Sequence, residues 1–269
     1  MIEKIVSAIP FLYFKNLLPF NHVLHAISTR NGGYSTGPYQ SLNVGIDTGD
    51  EDGAVLNNYS AVSRALEFDL SLLVASQQVH GAQVICVGNE HTTLSRSPLV
   101  LPLTGYDALI TAEPFITLMV RVADCVPVIL FDPFQHVAAV AHAGWRGTLA
   151  RIAEQTVTVM RYRYNCRPEH ILAGIGPSIG PCCCEVQREV ARLFSSKKPD
   201  MDSCIQKREN SLFLNLWEAN RRQLMMQGIP EGNIEVAQVC TACRTDLFFS
   251  HRREQGKTGR FGAFVGLRR

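Results

Sequence analysis

The sequence predicts an α/β domain with mixed sheets, on three observations. Two apolar runs of strand length, 122–131 and 136–143, flank the turn signal Asp132-Pro133 and read as neighbouring buried strands. Beyond them Leu149, Ile152, Ala153, Thr156, Val157 and Met160 form one apolar stripe at helical spacing. Elsewhere strands and helices alternate irregularly, with no sustained repeat, which favours mixed sheets over a regular βα array.

In chain order, Val23-Leu-His-Ala-Ile-Ser28 reads as a strand ending in Thr29-Arg-Asn-Gly-Gly33, whose glycines permit a positive-φ turn. A polar stretch through Ser41-Leu-Asn43 follows. Between 53 and 68, Val55, Leu56, Tyr59, Val62 and Leu66 recur at helical spacing, which predicts a surface helix. Strand-like runs at 72–75 and 83–87 enclose Gln77-Gln-Val-His-Gly81 and place His80 at a tight connection. The Ser/Pro/Thr-rich stretch 92–104 reads as a loop, and Asp107-Ala-Leu-Ile-Thr111 resumes the sheet. Trp145-Arg-Gly147 opens the helix that carries the 149–160 stripe, so its N-terminal amides are expected beside His142, available to an anion. His170-Ile-Leu-Ala-Gly-Ile175 is a strand leading to Gly176-Pro-Ser-Ile-Gly-Pro181 and a helical segment over 185–194. Residues 195–210 are charged and turn-rich. Asn215 with Glu218 three residues on starts a helix that Gly228 stops. Two last strands, 234–239 and 261–265, bracket Cys240-Thr-Ala-Cys243 and a basic loop.

At 269 residues the chain is long enough for one large domain or two fused halves. A formal charge of +2 argues against a dedicated nucleic-acid surface, and its basic pairs are too short for a binding tail, so small anions are the expected ligands. No stretch approaches the roughly 20 apolar residues of a membrane span. The N-terminus lacks a secretory pattern, so a cytoplasmic protein with no membrane partner is expected. Nine cysteines, three of them contiguous at 182–184, suit reduced thiols better than a disulfide framework. No feature of the sequence specifies an oligomer.

Each of the two central runs carries a residue it does not need for packing. Cys125 follows Asp124 and stands two residues before Pro127, which marks an edge, a bulge or a strand end. His142 lies where the second run gives way to Ala-Gly-Trp-Arg-Gly147. With His80 they form a candidate metal site: two imidazoles and a thiolate suit Zn²⁺, and three protein ligands leave a position open for water or substrate. The same residues allow Cys125 to be a nucleophile with His142 as its base, oriented by Asp124 or another acid. Gly176-Pro-Ser178-Ile-Gly180 matches a nucleophile-elbow pattern, but its flanking prolines favour a packing connection. Cys240-x-x-Cys243 has no second Cys-x-x-Cys partner outside the 182–184 cluster and reads as turn cysteines. Arg30, Arg146, Arg252, Arg253 and Arg260 lie in loops where guanidinium groups bind phosphate or carboxylate.

Thr29-Arg-Asn-Gly-Gly33, Ser41-Leu-Asn43, Gln78-Val-His-Gly81, Ala123-Asp-Cys-Val-Pro127, His142-Ala-Gly-Trp-Arg-Gly147, Gly176-Pro-Ser-Ile-Gly-Pro181 and Phe248-Phe-Ser-His-Arg-Arg253 resemble, in this order, the YfiH-type family. It is also called the laccase-domain or polyphenol-oxidase-like family, and its members are described as purine nucleoside phosphorylases. The resemblance implies a single four-layer α/β/β/α domain over 1–269 and a zinc on His80, Cys125 and His142. It implies phosphorolysis of adenosine, inosine and methylthioadenosine, with an adenosine deaminase side activity. Within the matched motifs Asp124, Cys125 and His142 are expected to be catalytic, and Arg30, Asn43, Arg146 and Arg252 to bind nucleoside and phosphate. The competing readings are a copper-dependent polyphenol oxidase, a Cys-His hydrolase of peptidoglycan precursors and a zinc-stabilised binding module without turnover. Against the family pattern, Cys184 replaces an aromatic, His251 replaces a tyrosine, and Asn58-Tyr59 stands where an Asn-Arg pair is usual.

Overall fold

The computed structural model describes residues 1–92, 103–197 and 199–268. Most of the expected 92–104 loop, residues 93–102, lies outside them. Two mixed sheets carry the fold. The first contains β1 (Ile2–Val6), β2 (Ile9–Tyr13), β3 (Val23–Ser28), β4 (Leu73–Gln77), β6 (Leu103–Thr104), β8 (Thr117–Val122) and β16 (Phe261–Leu267), in the order β1-β2-β3-β16-β8-β4-β6. The second contains β5 (Val84–Cys86), β7 (Ala108–Thr111), β9 (Val126–Asp132), β10 (Val137–Ala143), β11 (Leu172–Ile175) and β15 (Ile234–Val236), in the order β15-β11-β9-β10-β7-β5. Strand β4 runs parallel to β6 and β8, β5 to β7, and β11 to β15; the remaining pairs in both sheets are antiparallel. A small antiparallel sheet joins β12 (Glu185–Val186), β14 (Ser211–Leu214) and β13 (Ile205–Arg208).

Three apolar clusters hold these elements together. Phe14, Ile27, Val120 and Val265 of the first sheet region meet Ile129, Phe131 and Val140 of the second face to face. Helix α1 (Asp52–Leu66) lays Val55, Tyr59 and Val62 against Phe11, Ala26, Met119 and Phe264 on the far side of the first sheet. On the far side of the second, helices α4 (Ile152–Tyr164) and α6 (Leu216–Met226) pack Ile152, Val157, Met160, Ala219 and Leu224 against Val128, Leu130 and Ala139. The shorter helices α2 (Asn89–Thr92), α3 (Trp145–Leu149) and α5 (Arg188–Lys197) complete the described set.

The central hairpin forms as its sequence predicts. Asp132 Oδ1 accepts the amides of Phe134 and Gln135 at 2.9 and 3.0 Å, closing the turn between β9 and β10. Asn215 caps α6 by accepting the Glu218 amide at 3.1 Å. The helix expected after Gly147 is instead two helices, α3 and α4, with Arg151 in the left-handed region between them at φ 64°. In a continuous helix the Thr148 carbonyl would take the Ile152 amide; here it accepts Arg151 N–H at 3.0 Å and Gln223 Nε2 at 2.7 Å. The expected helix over 185–194 begins only at Arg188, because Glu185 and Val186 pair with Phe213 and Leu212. The charged stretch 195–210 contains strand β13, and the N-terminal hairpin β1–β2 has no counterpart in the sequence reading. No described helix is long and apolar enough to cross a membrane.

Gly174 of β11 lies flat on the buried Phe14 ring, and a Cβ there would stand 2.4 Å from two of its carbons. Gly174→Ala is therefore expected to cost about 1–3 kcal/mol by overpacking. Urea unfolding should show a lower midpoint at unchanged slope.

Candidate metal centre

His80, Cys125 and His142 arrive from three separate elements. His142 is the next-to-last residue of β10 and pairs with Pro127 of β9, while Cys125 immediately precedes β9. Thiol and imidazole thus stand at adjacent ends of two central strands. His80 lies three residues beyond β4, in a turn where it adopts φ 60°, and reaches in from the other sheet. Ligand atoms of the three residues all lie within 4.8 Å of one another. The two imidazole rings meet edge-on with centroids 4.8 Å apart. Gly144 keeps the approach open: a Cβ there would stand 3.0 Å from Cys125 Sγ and 3.1 Å from His80 Cδ2.

One carboxylate fixes this geometry. Asp107 is fully buried at the head of β7 and takes His142 Nδ1 on Oδ1 at 2.8 Å. The same oxygen accepts the His80 amide at 3.0 Å, and Oδ2 accepts the Gly81 and Val79 amides at 2.7 and 3.2 Å. Occupying Nδ1 leaves Nε2 of His142 for the centre, the usual outer partner of a metal-bound histidine. Burial pushes the Asp107 carboxyl up, but His142 and the amides outweigh it and hold it below the ordinary range.

Burial likewise opposes ionisation of Cys125, yet His142 and His80 beside it bring the thiol down to about 6. Burial opposes protonation of His142, and Cys125 with Asp107 overcome this and raise it to about 9. Without an ion the pair is a thiolate and an imidazolium; with one, the proton gives way to metal. Two imidazole nitrogens and a readily ionised sulfur this close together fit one thiophilic divalent cation.

The trio opens on a cavity of about 810 Å³, a volume that accommodates a small organic ligand. Trp145, Ile179, Val186, Val190 and Leu216 supply apolar lining. Arg121 of β8 and Arg260, just ahead of β16, line it too. Burial depresses Arg260 first, and Arg121 alongside depresses it further, while Cys125 and Asp124 act in the other direction. Arg121 Nη2 donates to Ser76 O at 2.6 Å and the guanidinium also interacts with the buried Tyr59 hydroxyl, while its buried Nη1 meets no acceptor in good hydrogen-bond geometry among the described residues.

The other expected site residues are divided. Asp124 and Arg252 line the cavity. Both Asp124 oxygens are occupied at 2.6 Å, by Thr241 Oγ1 and by the Arg252 amide, and the acid that orients His142 is Asp107 rather than Asp124. Arg30 lies outside the lining and spends its guanidinium on Gln40 O, Thr245 O and the Glu254 carboxylate. Asn43 is fully buried and braces the loop beside it: its Oδ1 accepts the Gly45 and Arg260 amides, both at 2.8 Å. Arg146 is exposed, stacked 4.3 Å over Trp145 and outside the lining, while Trp145 at the start of the five-residue α3 is part of it. Ser178 is buried under Trp217 Nε1 at 2.6 Å, a packing connection and not a nucleophile elbow.

The sequence profile of the family described as multi-copper polyphenol oxidoreductase laccase matches residues 24–268. The chain belongs to this family. Among laccase-domain relatives, the purine nucleoside phosphorylase YlmD of Geobacillus stearothermophilus is 39% identical, over 93% of this chain and 92% of its own. The adenosine deaminase RL5 of an unknown prokaryotic organism is 34% identical, over 86% and 88%. The crystal structure of the Bacillus licheniformis hypothetical protein YfiH superposes with a TM-score of 0.88 at 38% identity, covering 92% of this chain and 94% of that one. Two departures from the laccase-domain pattern, Cys184 and His251, both fall on the cavity wall. Asn58 instead is buried in hydrogen bonds to Ser35 Oγ and Asn43 O.

Sequence reasoning missed Asp107 and Arg121, while Arg252 and Arg260 of the five loop arginines it singled out do line the cavity. The available signal for Asp107 was an acid heading an otherwise apolar strand beside His142.

Asp107→Asn should weaken metal binding by about 10- to 100-fold while the fold persists, measured by competition with a chromophoric chelator. In metal-stripped protein, alkylation of Cys125 by iodoacetamide, followed by peptide mass mapping, should rise through a midpoint near pH 6. The thiolate contribution to stability is lost as pH falls through that value, and the imidazolium contribution as pH rises through about 9. His142→Ala should move the alkylation midpoint upward; an unmoved midpoint would remove His142 as its cause.

Proposed function

We propose that this chain is a zinc-dependent purine nucleoside phosphorylase acting on adenosine, inosine and methylthioadenosine, with adenosine deamination as a secondary activity. One observation carries the reading: two guanidinium groups, Arg121 and Arg260, share the cavity of the metal trio, and one buried nitrogen of Arg121 lacks a well-placed acceptor among the described residues. Leaving such a donor unsatisfied is costly, and placing a second cation beside it adds repulsion. The complement is an anion with several acceptor oxygens, and inorganic phosphate meets that description. Relatives named for phosphorolysis and for deamination support the substrate class.

His80, Cys125 and His142 would hold the Zn²⁺, which when bound supplies a Lewis acid that draws charge from a substrate oxygen. Arg121 and Arg260 hold the phosphate and orient it toward the ribose, and the apolar wall around Trp145 and Leu216 receives the purine. A phosphate oxygen bonds to the anomeric carbon as the carbon–nitrogen bond breaks. The electron pair leaves with the base, which takes up a proton, and the sugar 1-phosphate remains. Asp124, with both oxygens engaged, acts as a positioning residue for Cys125 and the Arg252 loop. Deamination uses the same cavity with water in place of phosphate as the attacking group. Free thiols at all nine cysteines suit the cytoplasm, where we place the activity.

The family description raises copper oxidation, and two imidazoles with one thiolate do resemble a blue-copper ligand set. The second metal-capable group among the described residues contains four cysteines and no histidine, which a multicopper electron-transfer chain would not use. A paired guanidinium cradle also serves phosphate rather than a phenol.

The test is turnover of adenosine with and without phosphate on metal-quantified protein. Adenine release should require phosphate. Arg260→Gln and Arg121→Gln should each raise the KM for phosphate about 10- to 100-fold, the loss of one charged hydrogen bond. Cys125→Ala should lower bound zinc and abolish phosphorolysis and deamination together. Adenine release that ignores phosphate, or copper-dependent phenol oxidation by the same preparation, would overturn the assignment.

A further inference from the structure

Of the eight cysteines outside the catalytic trio, four gather in one place. Cys182 and Cys183 occupy the turn after Gly180, and Cys240 and Cys243 the turn after β15. Although 57 or more residues separate the two pairs in sequence, their sulfur atoms all lie within 4.8 Å of one another. Cys243 Sγ stands 3.6 Å from Cys182 Sγ and 3.4 Å from Cys183 Sγ. A disulfide needs about 2.05 Å. A tetrahedron of thiolates around zinc, with Zn–S about 2.3 Å, places its sulfurs about 3.8 Å apart. The cluster therefore has the dimensions of a four-sulfur metal cage and not those of a bonded pair.

The backbone around it is already organised. Ser178 N donates to Val239 O, Thr241 N to Ser178 O, and Gly180 N to Cys240 Sγ at 3.2 Å, so the two turns are stitched side by side. Within each turn the chain closes on itself: Cys183 and Cys184 amides reach Gly180 O, and Cys243 and Arg244 amides reach Cys240 O. Arg252 Nη1 donates to Cys183 O at 3.1 Å and brings a positive charge to the edge of the cluster. Cys240 is buried, while Cys182 and Cys243 are exposed, so an ion can enter from solvent.

We propose that Cys182, Cys183, Cys240 and Cys243 form a second metal centre, a structural site that takes one Zn²⁺ in a closed four-thiolate tetrahedron. Binding exchanges four thiol protons for the ion, and the protons leave to solvent. Four protein ligands leave no open position, so the site does no chemistry of its own. It pins the 180–184 turn, which runs into the cavity wall at Cys184 and Glu185, to the 240–243 turn behind it. Cys184, Glu185 and Arg252 of that lining lie directly on or against the pinned segments. The assignment is independent of which reaction the cavity performs.

Cobalt substitution in the Cys125→Ala chain tests it, since that change removes a ligand from the first centre and leaves the second intact. The expected result is one Co²⁺ per chain with the strong ligand-field and thiolate charge-transfer absorption of a tetrahedral four-sulfur site. Adding Cys183→Ser and Cys243→Ser should abolish that spectrum and remove one zinc per chain in elemental analysis of protein purified without added metal. Chelation of the Cys125→Ala protein should lower its Tm. Absence of thiolate–cobalt absorption in the folded Cys125→Ala chain would overturn the proposal. So would a native mass two hydrogens light, placing a disulfide within the four. Should the multiple variant fail to fold, the Cys125→Ala spectrum alone decides.

Discussion

The carboxylate of Asp107 is the contact on which the site's geometry depends. It is fully buried, and an isolated ionised carboxylate in such a place would cost several kcal/mol. Three backbone amides and one imidazole nitrogen cancel that cost, and each tie fixes something the site needs. The amides belong to the turn after β4, which comes from the first sheet; the imidazole belongs to β10, in the second. A single side chain thus sets the distance between His80 and His142 across the seam of two sheets. The Asp107 carbonyl adds a second tie by accepting the His142 amide at 2.7 Å. The left-handed conformation of His80, uncommon for a residue with a side chain, persists because these bonds over-determine the turn.

The seam explains why the ligands are so distant in sequence. Strand β8 lies in the first sheet and β9 in the second, and the chain crosses between them in the three residues 123–125. Asp124 makes that crossing at φ 84° and is clamped by Thr241 and the Arg252 amide. Cys125 is delivered at the crossing. Arg121 comes from β8 on the same approach, and the register pairing Phe261 with Val122 puts Arg260 beside it. Metal donors and cationic donors are therefore presented by the ends of strands whose interiors are welded into apolar clusters, which is how loops gain the precision of a rigid scaffold.

Much of this was legible in the sequence, and the reason is periodicity. The interiors of the 122–131 and 136–143 runs are apolar because both faces of β9 and β10 are buried, so any polar residue near their ends stood out. That contrast exposed Cys125 and His142. Asp107 escaped because an acid before a strand is ordinarily a turn residue, and only the pairing of Ala108 with Ala141 brings it level with His142. Arg121 escaped because it sits inside an apolar strand with no loop signal. Arg30 drew attention as a loop arginine and Asn43 through the family motif Ser41-Leu-Asn43, and in the structure both hydrogen-bond to loop backbone. The helix break at Arg151 left no trace in the stripe, since Leu149 and Ile152 keep their facing on either side of it. Strand β13 is half-exposed and charged, and its alternation carries little apolar contrast.

Charge in the cavity links these observations to the chemistry. In the proposed reading, a Zn²⁺ on one thiolate and two neutral imidazoles would leave a net charge of +1, and Arg121 and Arg260 would add positive charge at that end of a cavity whose lining also carries Asp47, Asp124 and Glu185. A neutral nucleoside gains little from such a field, whereas a phosphate dianion gains a great deal, and more as water is displaced from around it. Under the proposed function, the arginine side of the cavity would take the phosphate and the apolar wall the nucleoside. The same field would also favour a transition state in which negative charge moves off the attacking phosphate onto the leaving base while positive charge gathers on the sugar between them. Phosphorolysis, as proposed, would need the phosphate held more firmly than the sugar, so that the anomeric carbon can travel from base to phosphate.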